Sequence, residues 1–228
     1  AAGKDQGGDR ETVARLKVLR ERWGLLLGQL KASRLGAGGK AVESLPWYLV
    51  LGEGGGGKTT ALRNSRLTVS LGGAGGGAEG GAAGLGWSFL EGAIVLDAPA
   101  AFAFPKSDTD RAEWGEFLSL LGRSGRRVPL DGLILAVPAD TLLRRSEEEL
   151  KRDAEALRQR LDEAVRRLGV KFPVYVLVTK WDRVEGMARF FQCLPAGTWD
   201  QAFGALNDEG VPVGAFTEGV MGRLRARL

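Results

Sequence analysis

The stretch that decides the fold runs from Trp47 to Thr60 and reads WYLVLGEGGGGKTT. Its first half is an apolar run rich in aromatic and branched residues, which favours a buried β-strand. Residues Gly52 to Thr59 match the pattern G-x-x-x-x-G-K-[ST], and the run ALRN behind them is compatible with a helix. A strand, a glycine-rich loop and a helix in this order predict a phosphate-binding loop, or P-loop.

The residue types in this loop suit phosphate chemistry. Glycines accept positive φ angles and let backbone N–H groups approach phosphate oxygens without a Cβ clash. Lys58 is expected to reach the β- and γ-phosphates, and the Thr59 hydroxyl is expected to bind Mg²⁺. A structural glycine loop is the alternative in a chain with 35 glycines. The predicted nucleotide-binding residues of the loop are Gly52, Gly54, Gly55, Gly56, Gly57, Lys58, Thr59 and Thr60.

Composition narrows the classes of protein that the chain can represent. Its 228 residues suit one α/β domain with small appendages. A single cysteine, Cys193, excludes an internal disulfide framework, and the lack of histidine excludes histidine triads and histidine metal sites. No run approaches the roughly 18 apolar residues of a membrane-spanning helix. The net charge of +4 is best explained by a solvated surface, so no nucleic-acid partner is predicted.

Upstream of the loop, apolar residues recur at helical spacing. Residues 11–30 are predicted to form an amphipathic helix after a disordered start at 1–9. Glycines at 36, 38 and 39 end this helix and form a linker. We therefore divide the chain into an N-terminal helical extension with its linker, residues 1–44, and a P-loop domain, residues 45–228.

Downstream of the loop, apolar strands alternate with helices. The clearest helix is predicted at 147–168, opened by a capping box at Ser146 and ended by Gly169. The glycine–alanine segment 72–86 is expected to be flexible, and 211–216 is expected to form a last edge strand. This alternation predicts an α/β fold, namely a three-layer P-loop NTPase sheet of the small-GTPase-like type.

Asp97 is the second predicted Mg²⁺ residue, because it ends an apolar strand downstream of the P-loop. Its alternative role is to cap the following turn. In GTPases this aspartate opens the motif D-x-x-G, whereas the segment 97–100 reads DAPA here. Ala100 replaces the glycine, and Pro99 removes a backbone donor. The substitutions weaken the case for a switch that senses the γ-phosphate.

Thr179, Lys180 and Asp182 belong to the segment TKWD, which matches the base-reading motif [NT]-K-x-D of GTPases. A carboxylate at the last position can accept hydrogen bonds from N1–H and the exocyclic amine of guanine, groups that adenine does not offer. Lys180 is expected to lie along the base and support the P-loop. The alternative is an ordinary strand-to-helix turn with Asp182 as the N-cap.

Several segments between about Leu45 and about Pro195 form an ordered set: LPWYLVLG (45–52), KTTALRNS (58–65), DRAEW (110–114), DGLILAV (131–137), LGVKFPVY (168–175) and TKWD (179–182). As a set they resemble the cytoplasmic NTPase-like domain of the IcmF/TssM family, the large inner-membrane component of bacterial type VI secretion systems. The family's D-T-A-G reads DAPA here, and the threonine usual in its preceding strand is replaced by Leu90.

The resemblance implies a location and partners. It implies a protein anchored in the inner membrane by helices outside this chain, with this soluble part at the cytoplasmic face. It also implies partnership with the small inner-membrane subunit of the secretion complex, and contact between a lipoprotein and parts outside this chain.

Two functions stay open at this point. In the first, the chain binds GTP or ATP with Mg²⁺ and acts as an assembly or switch module of the secretion complex, with slow hydrolysis left open. In the second, it is a degenerate GTPase fold that serves as a docking scaffold without turnover, as the DAPA segment suggests. A small-molecule kinase is disfavoured by the TKWD motif and by the lack of an evident lid.

Overall fold

The computed structural model describes residues 2–33, 41–65, 67, 84–90, 92–195, 197 and 204–227. The chain divides into two compact units, Ala1–Glu185 and Gly186–Leu228. The helices of the first unit are α1 (Ala2–Ala32), α2 (Ala41–Ser44), α3 (Lys58–Asn64), α4 (Ala100–Ala103), α5 (Asp108–Gly122), α6 (Ala139–Arg144) and α7 (Glu147–Leu168). Its strands are β1 (Trp47–Gly52), β2 (Gly86–Leu90), β3 (Ala93–Asp97), β4 (Gly132–Pro138) and β5 (Val174–Thr179). The second unit contains α8 (Met187–Cys193) and α9 (Val213–Arg227).

The five strands form one mixed sheet in the order β2-β3-β1-β4-β5. β1 pairs in parallel with β3 on one side and β4 on the other, and β5 pairs in parallel with β4. β2 runs antiparallel to β3. The carboxyl ends of β1, β3, β4 and β5 therefore lie at one edge of the sheet, where ligands bind in open α/β sheets. The predicted α/β class is confirmed as a mixed five-stranded sheet with helices.

Strand β1 contributes to packing on both sides of the sheet, because successive residues of a strand point to opposite sides. Leu49 and Leu51 of β1 are fully buried in the main core. Val50, between them, packs instead with Val95 and with Leu62 of α3. The helical residues of the main core include Trp23 (α1), Phe102 (α4), Phe117 (α5) and Leu168 (α7).

Helix α1 belongs to the same compact unit as the sheet. The Trp23 ring lies 5.7 Å from the Trp47 ring and 6.1 Å from the Phe117 ring, measured between centroids. Arg15 adds ion pairs to Asp110 at 2.8 Å and to Glu113 at 2.5 Å. The division of the chain at residues 44 and 45 stays a prediction. None of the described helices has the length and apolar character needed to cross a bilayer.

A buried arginine fixes the amino end of β1. The Arg126 side chain is only 5% exposed. Its Nη1 donates to the carbonyl oxygens of Val42 and Leu45, both at 2.6 Å, and its Nη2 contacts Asp131 at 2.6 Å. Its guanidinium lies over the Trp47 ring, 5.3 Å from the centroid. Arg126 thus lies in the loop between α5 and β4, and its side chain packs inward from that loop.

Two other expectations are corrected. Helix α1 begins at Ala2 rather than near residue 11, because each residue added to an existing helix gains a hydrogen bond at little further cost. Residues from Val213 onward form α9 rather than an edge strand, and Pro212 accepts the first helical bond from Phe216 at 3.0 Å. A short apolar run cannot distinguish strand from helix by periodicity.

The expectation of a flexible segment at 72–86 lies mostly outside the described residues. Its last residues are described, and they are ordered: Leu85 is buried and Gly86 begins β2. The predicted linker at 35–39 also lies outside the described part of the chain. The capping box at Ser146 is confirmed, and Gly169 ends α7 in the left-handed conformation, with φ of 68°.

Candidate phosphate and metal site

The glycine-rich loop connects β1 to α3 at the carboxyl edge of the sheet. A Cβ on Gly52 would overlap the carbonyl oxygen of Ala136 on the neighbouring strand β4, so only glycine fits at this close approach. Gly57 precedes α3 with φ of 85°, a left-handed conformation that favours glycine. The Gly56 N–H closes the turn onto the carbonyl oxygen of Glu53 at 3.1 Å. The backbone therefore favours glycine at three of the predicted loop positions, since Gly55 also has a left-handed φ of 67°.

Lys58 folds back over the loop. Its Nζ donates to the carbonyl oxygens of Gly52 and Glu53 at 3.0 and 2.9 Å, and the residue is only 8% exposed. Burial lowers the pKa of Lys58 below its ordinary value, and the charges of Asp97 and Glu53 oppose this shift only in part. The ammonium group is thus held against the loop, where an anion bound by the backbone would pair with it.

Thr59 and Asp97, the two residues predicted to bind Mg²⁺, meet in the structure. The Thr59 hydroxyl donates a hydrogen bond to Oδ2 of Asp97 across 38 residues of sequence. Asp97 is 4% exposed, and its Oδ1 is buried and accepts no hydrogen bond from the described residues. Burial raises the pKa of Asp97, while the Thr59 hydrogen bond and the charge of Lys58 oppose the shift.

The oxygen chemistry of this pair fits a magnesium ion. Mg²⁺ in phosphate-binding sites is usually held by one or two protein oxygens, several waters and the substrate phosphates. A hydroxyl and a carboxylate with an unused buried oxygen meet that description. The described residues contain no group of three or more histidine, cysteine, aspartate or glutamate side chains that could hold a metal by themselves. The pair therefore suits a metal that arrives with a phosphate ligand.

The segment after Asp97 turns directly into a helix. Ala98 donates to the carbonyl oxygen of Val50 at 3.1 Å, and Pro99 is the N-cap of α4. Ala100 is the first residue of that helix, and its methyl group lies 3.6 Å from the place a Cβ on Gly54 would take. The DAPA segment is thus packed beside the glycine-rich loop, with an alanine where GTPases carry glycine.

The end of β5 supports the loop through Thr179. Its hydroxyl donates to the carbonyl oxygen of Gly56 at 2.6 Å, and the residue is 7% exposed. Lys180, predicted to support the loop, lies near it: its Cγ is 3.7 Å from the place a Cβ on Gly57 would take. Lys180 has a φ of 56°, so the backbone turns sharply here. The end of β5 and the glycine-rich loop are therefore in direct contact.

Asp182 lies in a single 3₁₀ turn, Trp181–Arg183, and its side chain is exposed. The next α-helix, α8, is preceded by Gly186 as its N-cap residue. Asp182 therefore does not cap that helix, and base reading by this turn stays a prediction. Thr179, Lys180 and Asp182 follow the same sheet edge that carries Asp97 and the glycine-rich loop.

Helix α6 contacts both the glycine-rich loop and the turn at residues 180–183, called the TKWD turn below, and sequence analysis missed it. The Thr141 hydroxyl donates to Oε1 of Glu53 at 2.6 Å. Arg145, just after the helix, pairs with Oε2 of Glu53 at 2.6 Å. On the other side, Asp140 accepts from Arg183 at 3.1 Å. The sequence contained a signal for these residues. Asp140 and Thr141 are polar residues shortly after the apolar strand β4, the same pattern that identified Asp97.

A cavity of about 1140 Å³ opens beside the loop. Its lining includes Gly54, Ala100, Arg15 and Arg152, from the loop, α4, α1 and α7. None of Thr179, Lys180 or Asp182 lines it. The cavity therefore lies on the α4 and α7 side of the loop and does not join it to the TKWD turn.

Comparison with known proteins places these residues in a wider context. Residues 107–218 match the family described as IcmF-related N-terminal domain. Over 208 residues the chain is 38% identical to the type VI secretion system component TssM1 of Pseudomonas aeruginosa, which covers 86% of this chain. The chain spans about a fifth of the length of that relative, 19%.

A comparison of structures gives a weaker likeness. The small COPII coat GTPase SAR1 of Encephalitozoon cuniculi, solved with GDP, is similar over 78% of this chain and 85% of its own length. The sequence identity is 12% and the TM-score is 0.26. A likeness at this level supports no conclusion.

Proposed function

Because this chain belongs to the IcmF/TssM family, we propose that its first unit is the nucleotide-binding part of a type VI secretion component. The ligand is GTP or ATP together with Mg²⁺, and the fold is a P-loop NTPase fold of small-GTPase-like topology. The observation that supports this best is the meeting of Thr59 with Asp97, beside the buried ammonium group of Lys58. An unused carboxylate oxygen and a buried cation side by side suit a metal-bound phosphate.

In this proposal each residue has one task. The glycine-rich loop presents its N–H groups to the phosphates, and Lys58 exchanges its two carbonyl partners for phosphate oxygens. Thr59 and Asp97 hold the metal, which when bound neutralises charge on the β- and γ-phosphates. Thr179 fixes the loop from β5, and the exposed carboxylate of Asp182 reads the base. Lys180 lies along the base.

For the whole protein, we extend the relative's description to this chain. The complete protein is then a component of a type VI secretion system, and this part acts as an assembly or switch module at the cytoplasmic face of the inner membrane. The small inner-membrane subunit is the proposed partner of the complex. The lipoprotein contacts parts of the protein outside this chain.

One observation favours a second candidate, a docking scaffold without turnover. Pro99 and Ala100 begin a helix where GTPases have the flexible glycine of D-x-x-G. Proline fixes its own φ and has no N–H to offer a γ-phosphate. Phosphate release by the purified protein that depends on Lys58 would exclude the scaffold.

The test of nucleotide binding is calorimetric titration with GDP, GTP, ADP and ATP, with and without Mg²⁺. Asp182→Ala is expected to weaken GDP binding about tenfold, the effect of losing one good charged hydrogen-bond partner, and to leave ADP binding unchanged. Glu185→Ala, an exposed carboxylate three residues away, is the matched control and is expected to bind like the unmodified protein. Equal losses for GDP and ADP would contradict the base assignment. No binding of any nucleotide would reject the proposed function.

The metal assignment makes a separate prediction. Asp97→Asn is expected to weaken GDP binding about tenfold in Mg²⁺, because a metal ligand is lost. In EDTA the same variant is expected to bind GDP as well as the unmodified protein or better, because a negative charge beside the phosphates is gone. Asp162→Asn, an exposed change on α7, is the control. Weaker binding that is the same in Mg²⁺ and EDTA would show that Asp97 does not serve the metal.

A further inference from the structure

Asp140 is a buried carboxylate that the proposed function does not yet use. It lies in the first turn of α6 and is 7% exposed. Its Oδ2 contacts Arg144 at 2.5 Å and Arg183 at 3.1 Å. Its Oδ1 is buried and accepts no hydrogen bond from the described residues. A carboxylate held away from water is costly unless cations pair with it. The two arginines therefore compensate for the burial of Asp140.

These partners come from two different elements. Arg144 belongs to α6 itself and is its i,i+4 neighbour. Arg183 belongs to the TKWD turn, 43 residues further along the chain. The positive charges of Lys180, Arg144 and Arg183 lower the pKa of Asp140, against the effect of burial, which raises it. Arg183 follows Asp182 directly, so its ion pair with Asp140 holds the carboxyl end of the base-reading turn.

The backbone conformation of this turn is unfavourable, so the turn needs a stabilising contact from outside. Lys180 is the only residue other than glycine with a positive φ in the described part of the chain. A left-handed conformation costs a residue with a side chain about 1–2 kcal/mol, and it persists only where the surroundings impose it. The hydrogen bond from the Arg183 N–H to the carbonyl oxygen of Lys180, at 3.0 Å, closes the turn locally. The ion pair between Asp140 and Arg183 then stabilises the turn from α6.

Charge gives a second reason. Lys180 and Arg183 are cations placed close in sequence to the exposed carboxylate of Asp182. If neither had another partner, each could pair with Asp182 and compete with a ligand for its oxygens. Asp140 gives Arg183 an alternative carboxylate, and its Oδ1 accepts no hydrogen bond from the described residues.

We propose that Asp140 is a positioning residue for base recognition, which holds Arg183 so that Asp182 stays free to accept hydrogen bonds from a guanine base. The inference rests on the proposed function. It names a residue, outside the TKWD motif, on which the choice of base depends.

The test compares affinities for Mg–GDP and Mg–ADP, measured by calorimetry. Asp140→Asn keeps the shape of the side chain and removes its charge. It is expected to lower the affinity for GDP about tenfold and the affinity for ADP less than about twofold, because only guanine uses Asp182. Arg183→Gln removes the same ion pair by changing its partner, whose side chain is about half exposed. It is expected to give the same change, and it keeps the test valid even if Asp140→Asn folds poorly. Arg144→Gln is the control, since it pairs with Asp140 without touching the turn.

The outcomes separate the two levels of the proposal. A ratio of GDP to ADP affinity that stays at its original value in both Asp140→Asn and Arg183→Gln overturns this inference and leaves the proposed function intact. Equal weakening for both nucleotides, or an effect of Arg144→Gln as large as that of Arg183→Gln, also overturns it, because the role is then structural support only. An unmodified protein that binds neither nucleotide overturns the proposed function and this inference with it.

Discussion

Replacing Lys58 with alanine is expected to lower the affinity for Mg–GDP and Mg–GTP by about a hundredfold, since a hydrogen-bonded charge of this kind contributes up to about 3 kcal/mol. The reason is the position of its ammonium group, which is buried against the loop with two carbonyl oxygens as partners. A bound phosphate would replace those neutral acceptors with anionic ones. Alanine leaves the phosphates without the Lys58 cation and removes one of the positive charges that act on Asp97.

This effect can be measured by calorimetry with a matched control. Lys151→Ala removes an exposed lysine from α7 and is expected to leave the affinity unchanged. Circular dichroism would verify that both variants keep their helices. A Lys58→Ala protein that still bound Mg–nucleotide like the unmodified protein would reject the phosphate site, whatever else the chain binds.

Replacing Arg126 with alanine is expected to lower the free energy of unfolding by about 3 kcal/mol or more, as breaking a buried charged network does. The change removes donors from the carbonyl oxygens of Val42 and Leu45 and from the carboxylate of Asp131, which also accepts the Trp47 N–H at 2.8 Å. It also removes the cation over the Trp47 ring. Arg126→Lys is expected to recover little of this, because one ammonium group cannot reproduce the planar fork.

Urea unfolding monitored by tryptophan fluorescence would measure this loss. Arg127→Ala is the matched control, because Arg127 is the next residue and its side chain is exposed. It is expected to change the free energy of unfolding by less than about 0.5 kcal/mol. Similar midpoints for the two variants would show that the Arg126 contacts do not stabilise the sheet.

The parts of the fold that could be predicted are those with local signals. The strand, loop and helix around Lys58 follow from one motif, and the start of α7 follows from the reciprocal bonds of Ser146 and Glu149. The pairing of Thr59 with Asp97 could also be anticipated, because both belong to patterns with a known relation to phosphate and strand ends. Whether those residues bind a nucleotide stays a prediction.

The parts that could not be predicted depend on distant partners. Arg126 looked like one of several arginines in a loop, and only its contacts with Val42 and Leu45, 84 and 81 residues away, make it structural. Asp140 and Thr141 carried only the weak signal of polar residues after an apolar strand, and their contacts with Arg183 and Glu53 depend on two other loops. The strand predicted at 211–216 was wrong for a different reason. An apolar run this short is compatible with a strand and with a helix, so its pattern does not decide between them.

Gly52 limits how this site can be altered by mutation or by evolution. The close approach of its backbone to Ala136 means that any side chain there pushes β1 away from β4 in the centre of the sheet. Loss of ligand binding and loss of folding cannot be separated at this position. Lys58 and Asp182 differ, because their side chains project from backbone that is already fixed. These two side chains can therefore be replaced, and ligand binding lost or changed, while the fold persists. This is one route by which a fold can be kept for another purpose after its ligand-binding residues change.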